Sequence, residues 1–72
     1  MELLEIESKQ RLRREEVAEQ LRALADMLAR HNDVEYERGG VRFKLAVPDE
    51  VDLKLELEVE DDGTELEIEL RW

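Results

Sequence analysis

The chain has 72 residues, 21 acidic against 11 basic, and a formal net charge of −10. It contains no cysteine, which excludes a disulfide framework and a thiolate-based zinc or redox site. Its acidity opposes direct binding to nucleic-acid phosphates, and no run approaches the ~20 apolar residues that span a bilayer.

A chain this short makes one domain, and such a domain buries only about 60% of its unfolded surface. Cooperative sheet pairing, oligomerisation, or salt that screens repelling charges is therefore expected to help it fold. The opening Met1-Glu2-Leu3-Leu4-Glu5 has neither the basic head nor the long apolar stretch of a signal peptide. A cytoplasmic location is expected. Lys9, Lys44 and Lys54 are the only lysines. Few lysines and many carboxylates suit high salt, where self-repulsion is screened; a GC-rich genome would also favour arginine.

In chain order, Leu4, Ile6 and Ser8 alternate with Leu3, Glu5, Glu7 and Lys9, predicting a first strand over residues 2–9. Residues 14–31 switch to helical spacing. Val17, Leu21, Leu24 and Leu28 form one narrow stripe, flanked by Ala18 and Ala25. Glu15 and Glu16 suit the positive end of the helix dipole. Arg13 stands where a Ser, Thr, Asp or Asn cap is expected. His31 and Asn32 would end the helix, the first as a cation at its negative end.

Four further strands follow. Val34 and Tyr36 alternate with acids, and Gly39-Gly40 supplies a two-residue hairpin turn. Val41, Phe43, Leu45 and Val47 come next, then Pro48-Asp49-Glu50 as a second turn. From Val51 to Val59 every odd position is apolar and every even one charged, and the alternation returns from Glu65 to Trp72. Asp62-Gly63 is the expected turn pair between them. The prediction is an α+β domain over residues 1–72, ordered β-α-β-β-β-β, with one helix on the inner face of a mainly antiparallel sheet. The first strand could lie against the last strand or parallel to the second. The expected core is Leu4, Ile6, the leucine stripe with Val17, and the inward residues Tyr36, Phe43, Leu45, Leu53, Leu55, Leu57, Ile68 and Leu70.

Turns dictate cross-strand partners, because side chains alternate with a period of two. The Gly39-Gly40 turn sets Tyr36 against Phe43 and Val34 against Leu45 on the inner side. Outside, it sets Glu37 against Arg42 and Glu35 against Lys44, both favourable. An Asp62-Gly63 turn sets Val59 against Leu66, Leu57 against Ile68, Leu55 against Leu70 and Leu53 against Trp72. The outer pairs are then Glu60–Glu65, Glu58–Glu67, Glu56–Glu69 and Lys54–Arg71, all of like sign. Dissolved cations, a basic partner, or Arg42 and Lys44 on a neighbouring strand would have to compensate. One helix, about 10–12 Å across, is also too narrow to cover a five-stranded sheet. Leu66, Ile68, Leu70 and Trp72 on the last strand are the candidates for open apolar surface, which usually marks self-association or a partner site.

These features together resemble the small proteins named for the amphi-Trp domain. The resemblance rests on Leu3-Leu4-Glu5-Ile6-Glu7, the Arg14-Glu15-Glu16 helix start with its leucine stripe, and Glu37-Arg38-Gly39-Gly40. The most specific match is the closing run, Glu65-Leu66-Glu67-Ile68-Glu69-Leu70-Arg71-Trp72. The resemblance covers essentially the whole chain and implies a fold, with occurrence in halophilic archaea and in bacteria. It implies no activity, substrate or cofactor.

Six glutamates line the last hairpin: Glu56, Glu58, Glu60, Glu65, Glu67 and Glu69. They are a solvated face or a surface for cations or a basic protein. Asp61-Asp62-Gly63 lacks the further ligands of a calcium loop and reads as a turn. Trp72 is a core aromatic or an interface anchor. His31 has no ligand-type neighbours at metal spacing. Lys9, Arg11, Arg13 and Arg14 form the one basic cluster, suited to balancing acidic neighbours or docking another copy's acidic face. The hydroxyls of Ser8, Tyr36 and Thr64 have no histidine placed to activate them.

The expectation is therefore a non-catalytic interaction module without cofactor or metal, self-associating or bound to a basic protein. Trp72, Leu70, Ile68 and Leu66 would anchor, and Glu56, Glu58, Glu67 and Glu69 would steer. Neither nucleic acid nor membrane is an expected direct partner. The alternatives are an acidic nucleic-acid mimic that occupies a basic protein's site, and a cation-binding, salt-adapted protein.

Overall fold

The computed structural model describes residues 1–30 and 32–72. Helix α1 spans Arg14–Arg30. The carbonyl of Arg13 accepts from the amides of Glu16 (3.0 Å) and Val17 (3.1 Å). In return the Glu16 carboxylate accepts from the Arg13 amide at 3.3 Å. This is the returning half of a capping box, formed although Arg13 offers no capping oxygen of its own. Glu15 and Glu16 occupy the first turn and Arg30 the last, each at the favourable dipole end. The role expected of His31 lies outside the described residues.

Strands β1 (Asp33–Arg38) and β2 (Val41–Ala46) form an antiparallel hairpin. Gly39 and Gly40 both have positive φ, 60° and 79°, as a two-residue type I′ turn demands. The register is the expected one: Tyr36 faces Phe43, Val34 faces Leu45, Glu37 faces Arg42 and Glu35 faces Lys44. Arg42 pairs with Glu37 at 3.6 Å, while Lys44 reaches diagonally to Asp33 at 3.3 Å. Beyond the strands, the Val47 amide donates to the Asn32 carbonyl at 2.7 Å. Helix α1 packs on β1, where the Met27 sulfur accepts from the Glu35 amide at 3.4 Å.

Strands β3 (Asp52–Glu60) and β4 (Gly63–Arg71) form a second antiparallel hairpin. Its register differs from expectation by two residues. Glu60 faces Gly63, so the turn pair is Asp61-Asp62. Neither aspartate has positive φ, nor does Gly63. Such a turn belongs with type I geometry, which favours glycine immediately after its central pair. A two-residue shift leaves every side chain on its original face. It also halves the like-sign outer pairs from four to two: Glu60 now faces Gly63, and two opposite-sign pairs arise, Lys54 with Glu69 and Asp52 with Arg71.

Two expectations fail at larger scale. Residues 1–13 contain no strand, so the described element order is α-β-β-β-β. Alternation says which side of a strand would face inward, but a strand also needs a partner edge. Here the Glu7 carbonyl accepts from the Arg38 guanidinium instead of from a ladder amide. The strands also form two separate two-stranded sheets rather than one meander. The joining segment, residues 47–51, carries Pro48, which lacks an N–H and biases Val47 toward extended backbone. Arg42 and Lys44 consequently do not lie on a strand next to the glutamates of β3.

No described residue is fully buried. Of the expected core, Ile6, Leu24, Leu28, Tyr36, Phe43 and Leu70 are half-buried. Leu4, Val17, Leu21, Leu45, Leu53, Leu55, Leu57 and Ile68 are exposed. The β3–β4 hairpin packs against neither α1 nor the β1–β2 hairpin. The chain exposes 7205 Å², whereas a compact monomer of its mass exposes about 4,700 Å². Its radius of gyration is 14.2 Å against about 11 Å for a compact domain of this length. Among the described residues no helix is long and apolar enough to cross a membrane.

Candidate interaction surface

The β3–β4 hairpin is a two-faced ribbon made by strict alternation. On its apolar face Leu53 pairs with Leu70, Leu55 with Ile68 and Leu57 with Leu66. Val59 faces Thr64, not Leu66, and Trp72 lies one residue past the paired ladder, beside Val51. All four expected anchors thus share one side of β4. Leu66 remains 67% exposed and Trp72 53%, so neither is a closed core residue. Leu70 is half-buried.

The opposite face carries the acids. Glu56 faces Glu67 and Glu58 faces Glu65, two like-sign pairs in mid-hairpin. Lys54 lies opposite Glu69 and pairs along its own strand with Glu56 at 3.3 Å. Of the expected steering glutamates, Glu56, Glu58 and Glu67 are exposed and Glu69 is half-buried. Toward the turn, Glu58, Glu60, Asp62 and Glu65 rim a shallow depression with Gly63 and Thr64. Hydrogen bonding to Glu58 pushes the Glu60 carboxyl above its usual range, with smaller contributions from desolvation and from Asp62. Among the described residues no group of three or more metal-type side chains converges as a cation site would require.

A second apolar surface lies on the other hairpin. Leu4, Ile6, Val34, Tyr36, Phe43 and Leu45 line an open groove of about 240 Å³. Sequence reasoning counted most of these residues as covered core. No α1 residue lines this groove, and Val17 and Leu21 on the helix stripe remain 42% and 46% exposed. The basic cluster is partly spent on its own neighbours: Lys9 pairs with Glu7 at 3.8 Å and Arg14 with Glu15 at 3.7 Å.

Both hairpins and the closing Trp72 lie within a single region of family similarity. The family model for the Amphi-Trp domain matches residues 1–72. The chain belongs to the Amphi-Trp domain family. No curated protein and no solved structure matches it. In this Amphi-Trp chain the amphipathic run Glu65–Trp72 is strand β4 with the residue after it. Its apolar side chains and its acids therefore stand on opposite faces of one ribbon.

Proposed function

We propose that this Amphi-Trp protein is a non-catalytic interaction module that self-associates through the apolar face of its β3–β4 hairpin. The observation that carries this reading is the surface deficit. The chain hides about 40% of the area its unfolded form would expose, against about 60% for a folded domain of similar size. At about 25 cal/mol per Å² of apolar area, that shortfall weighs heavily where no described residue is buried. A partner has to supply the missing burial for the hairpin to be stable, because an isolated two-stranded hairpin is marginal in water. Leu55, Ile68 and Trp72 are the contacting anchors. Glu56, Glu58 and Glu67 remain outward, where they keep the assembly soluble and present an acidic wall to a basic protein.

Size-exclusion chromatography with light scattering tests this at several protein concentrations. The wild-type protein is expected to exceed its 8.5 kDa chain mass. Leu55→Glu, which places a charge at the centre of the apolar face, is expected to shift it to monomer with loss of β-sheet circular dichroism. A wild-type protein that stays monomeric and well folded at all concentrations refutes the reading.

A further inference from the structure

We infer that the occupant of the hairpin's apolar face is the α1–β1–β2 unit of a second copy, exchanged reciprocally, so that each hairpin closes the apolar groove of its partner. This rests on the self-association proposed above and names the surfaces that meet. Three observations carry it.

Area comes first. The chain exposes roughly 2,500 Å² more than a compact monomer of its mass would. The hairpin's exposed apolar side chains account for on the order of 800 Å², one partner's share of a standard interface. Two hairpins stacked on each other would hide only that share, and both grooves would stay open. Reciprocal exchange hides the hairpin face and the groove face on each copy, about twice as much.

Chemistry comes second. The groove lined by Ile6, Val34, Tyr36 and Phe43 is apolar, and it has a twisted hairpin for its own backing. A second ribbon with leucines at every other position matches it as one sheet matches another across a core about 10 Å thick. The charged sides of both hairpins then point away from the contact. Two chains of charge −10 can meet only with their acids turned outward.

The third observation is the hinge. Strand β2 ends at Ala46 and β3 begins at Asp52, so residues 47–51 alone connect the units. Pro48 biases Val47 toward extended backbone and offers no N–H to a ladder, and the connection bends at Asp49. The hairpin is held off its own chain, with no packing on α1 or β1–β2. A short hinge that separates two mutually complementary units is the arrangement that exchanges between copies.

Spin-label distances test the exchange without altering the contact. The chain lacks cysteine, so Lys44→Cys and Glu58→Cys, both on outward faces, give unique label sites. Copies labelled at 44 and copies labelled at 58 with an orthogonal label are unfolded together and refolded. Exchange predicts that the 44–58 distance between copies is shorter than the 58–58 distance in an assembly labelled only at 58. The opposite order, in protein that light scattering shows to be oligomeric, overturns the exchange and leaves self-association standing. A monomer under the same conditions overturns both.

Discussion

At the scale of single residues, the register of the β3–β4 hairpin decides what each charge does. Glu58 faces Glu65 and shares its strand side with Glu56 and Glu60. Glu58→Lys replaces a like-sign pair with an opposite one, worth a few tenths to ~1 kcal/mol at low salt. A melting curve should show a higher midpoint, and the gain should shrink as KCl is added. Lys54→Glu separates the two possible registers. Opposite Glu69, the substitution creates a new repulsion and lowers the melting midpoint. Opposite Arg71, as an Asp62-Gly63 turn would have it, the same change would relieve a repulsion. Glu60 adds a pH dependence. Its folded pKa lies above its usual value through hydrogen bonding with Glu58, so protonation favours the folded form. Ionisation costs stability above that pKa, and the cost disappears as pH falls through it toward the unfolded value. Denaturation midpoints should therefore rise on mild acidification from neutral pH. Glu60→Gln should reduce that slope; an unchanged slope in the variant would show that Glu60 does not carry it.

Among the elements, turn chemistry separates what the sequence reveals from what it hides. Gly39-Gly40 is legible because two consecutive glycines allow the positive φ values that a type I′ turn requires, and the whole β1–β2 register follows from it. Asp61-Asp62-Gly63 is ambiguous. Asp-Gly is a strong hairpin pair, but Gly63 in the following position serves a type I turn equally well. Both registers keep the leucines inward, so hydrophobic alternation cannot choose between them. The charges could have chosen, since only the observed register opposes Lys54 to an acid. Helix α1 is legible from its stripe, and its start is clearer from Glu16 than from Arg13, because the carboxylate bonds back to the Arg13 amide. Residues 2–9 mislead: the alternation is present, but the segment pairs with none of the open strand edges and meets β1 through the Glu7 carbonyl and the Arg38 guanidinium instead. Glycine substitutions test the two turns. At Gly40 (φ +79°) a Cβ meets open space, so the cost of Gly40→Ala is backbone strain alone, about 1–2 kcal/mol. Gly63 also faces open space but lacks positive φ. Gly63→Ala should be neutral or stabilising by up to ~1 kcal/mol. Equal losses at the two sites by chemical denaturation would contradict the turn assignment.

For the whole molecule, the governing balance is apolar area against charge. Each copy presents an exposed apolar ribbon and a net charge of −10 that repels a second copy. Alternation alone marked Leu66, Ile68, Leu70 and Trp72 for open apolar surface. The exposure of Leu53, Leu55 and Leu57, expected in the core, was not legible, because it accompanies the failure of β2 and β3 to join one sheet. The two terms respond differently to salt. Screening shortens the reach of the repulsion from about 10 Å at 0.1 M to about 3 Å at 1 M, while apolar burial persists. Association should therefore tighten as KCl rises. Because the proposed assembly would stabilise only the folded state, the melting temperature should rise with protein concentration as well as with salt. Measuring both together separates the causes. If salt only relieves repulsion within one hairpin, midpoints rise with KCl but do not move with protein concentration. If it acts on assembly, the concentration dependence persists at every salt level, and the mass seen by light scattering grows with KCl at fixed dilute protein. Leu55→Glu supplies the control, since a chain unable to assemble should lose the concentration dependence and retain only the effect of screening its own acids.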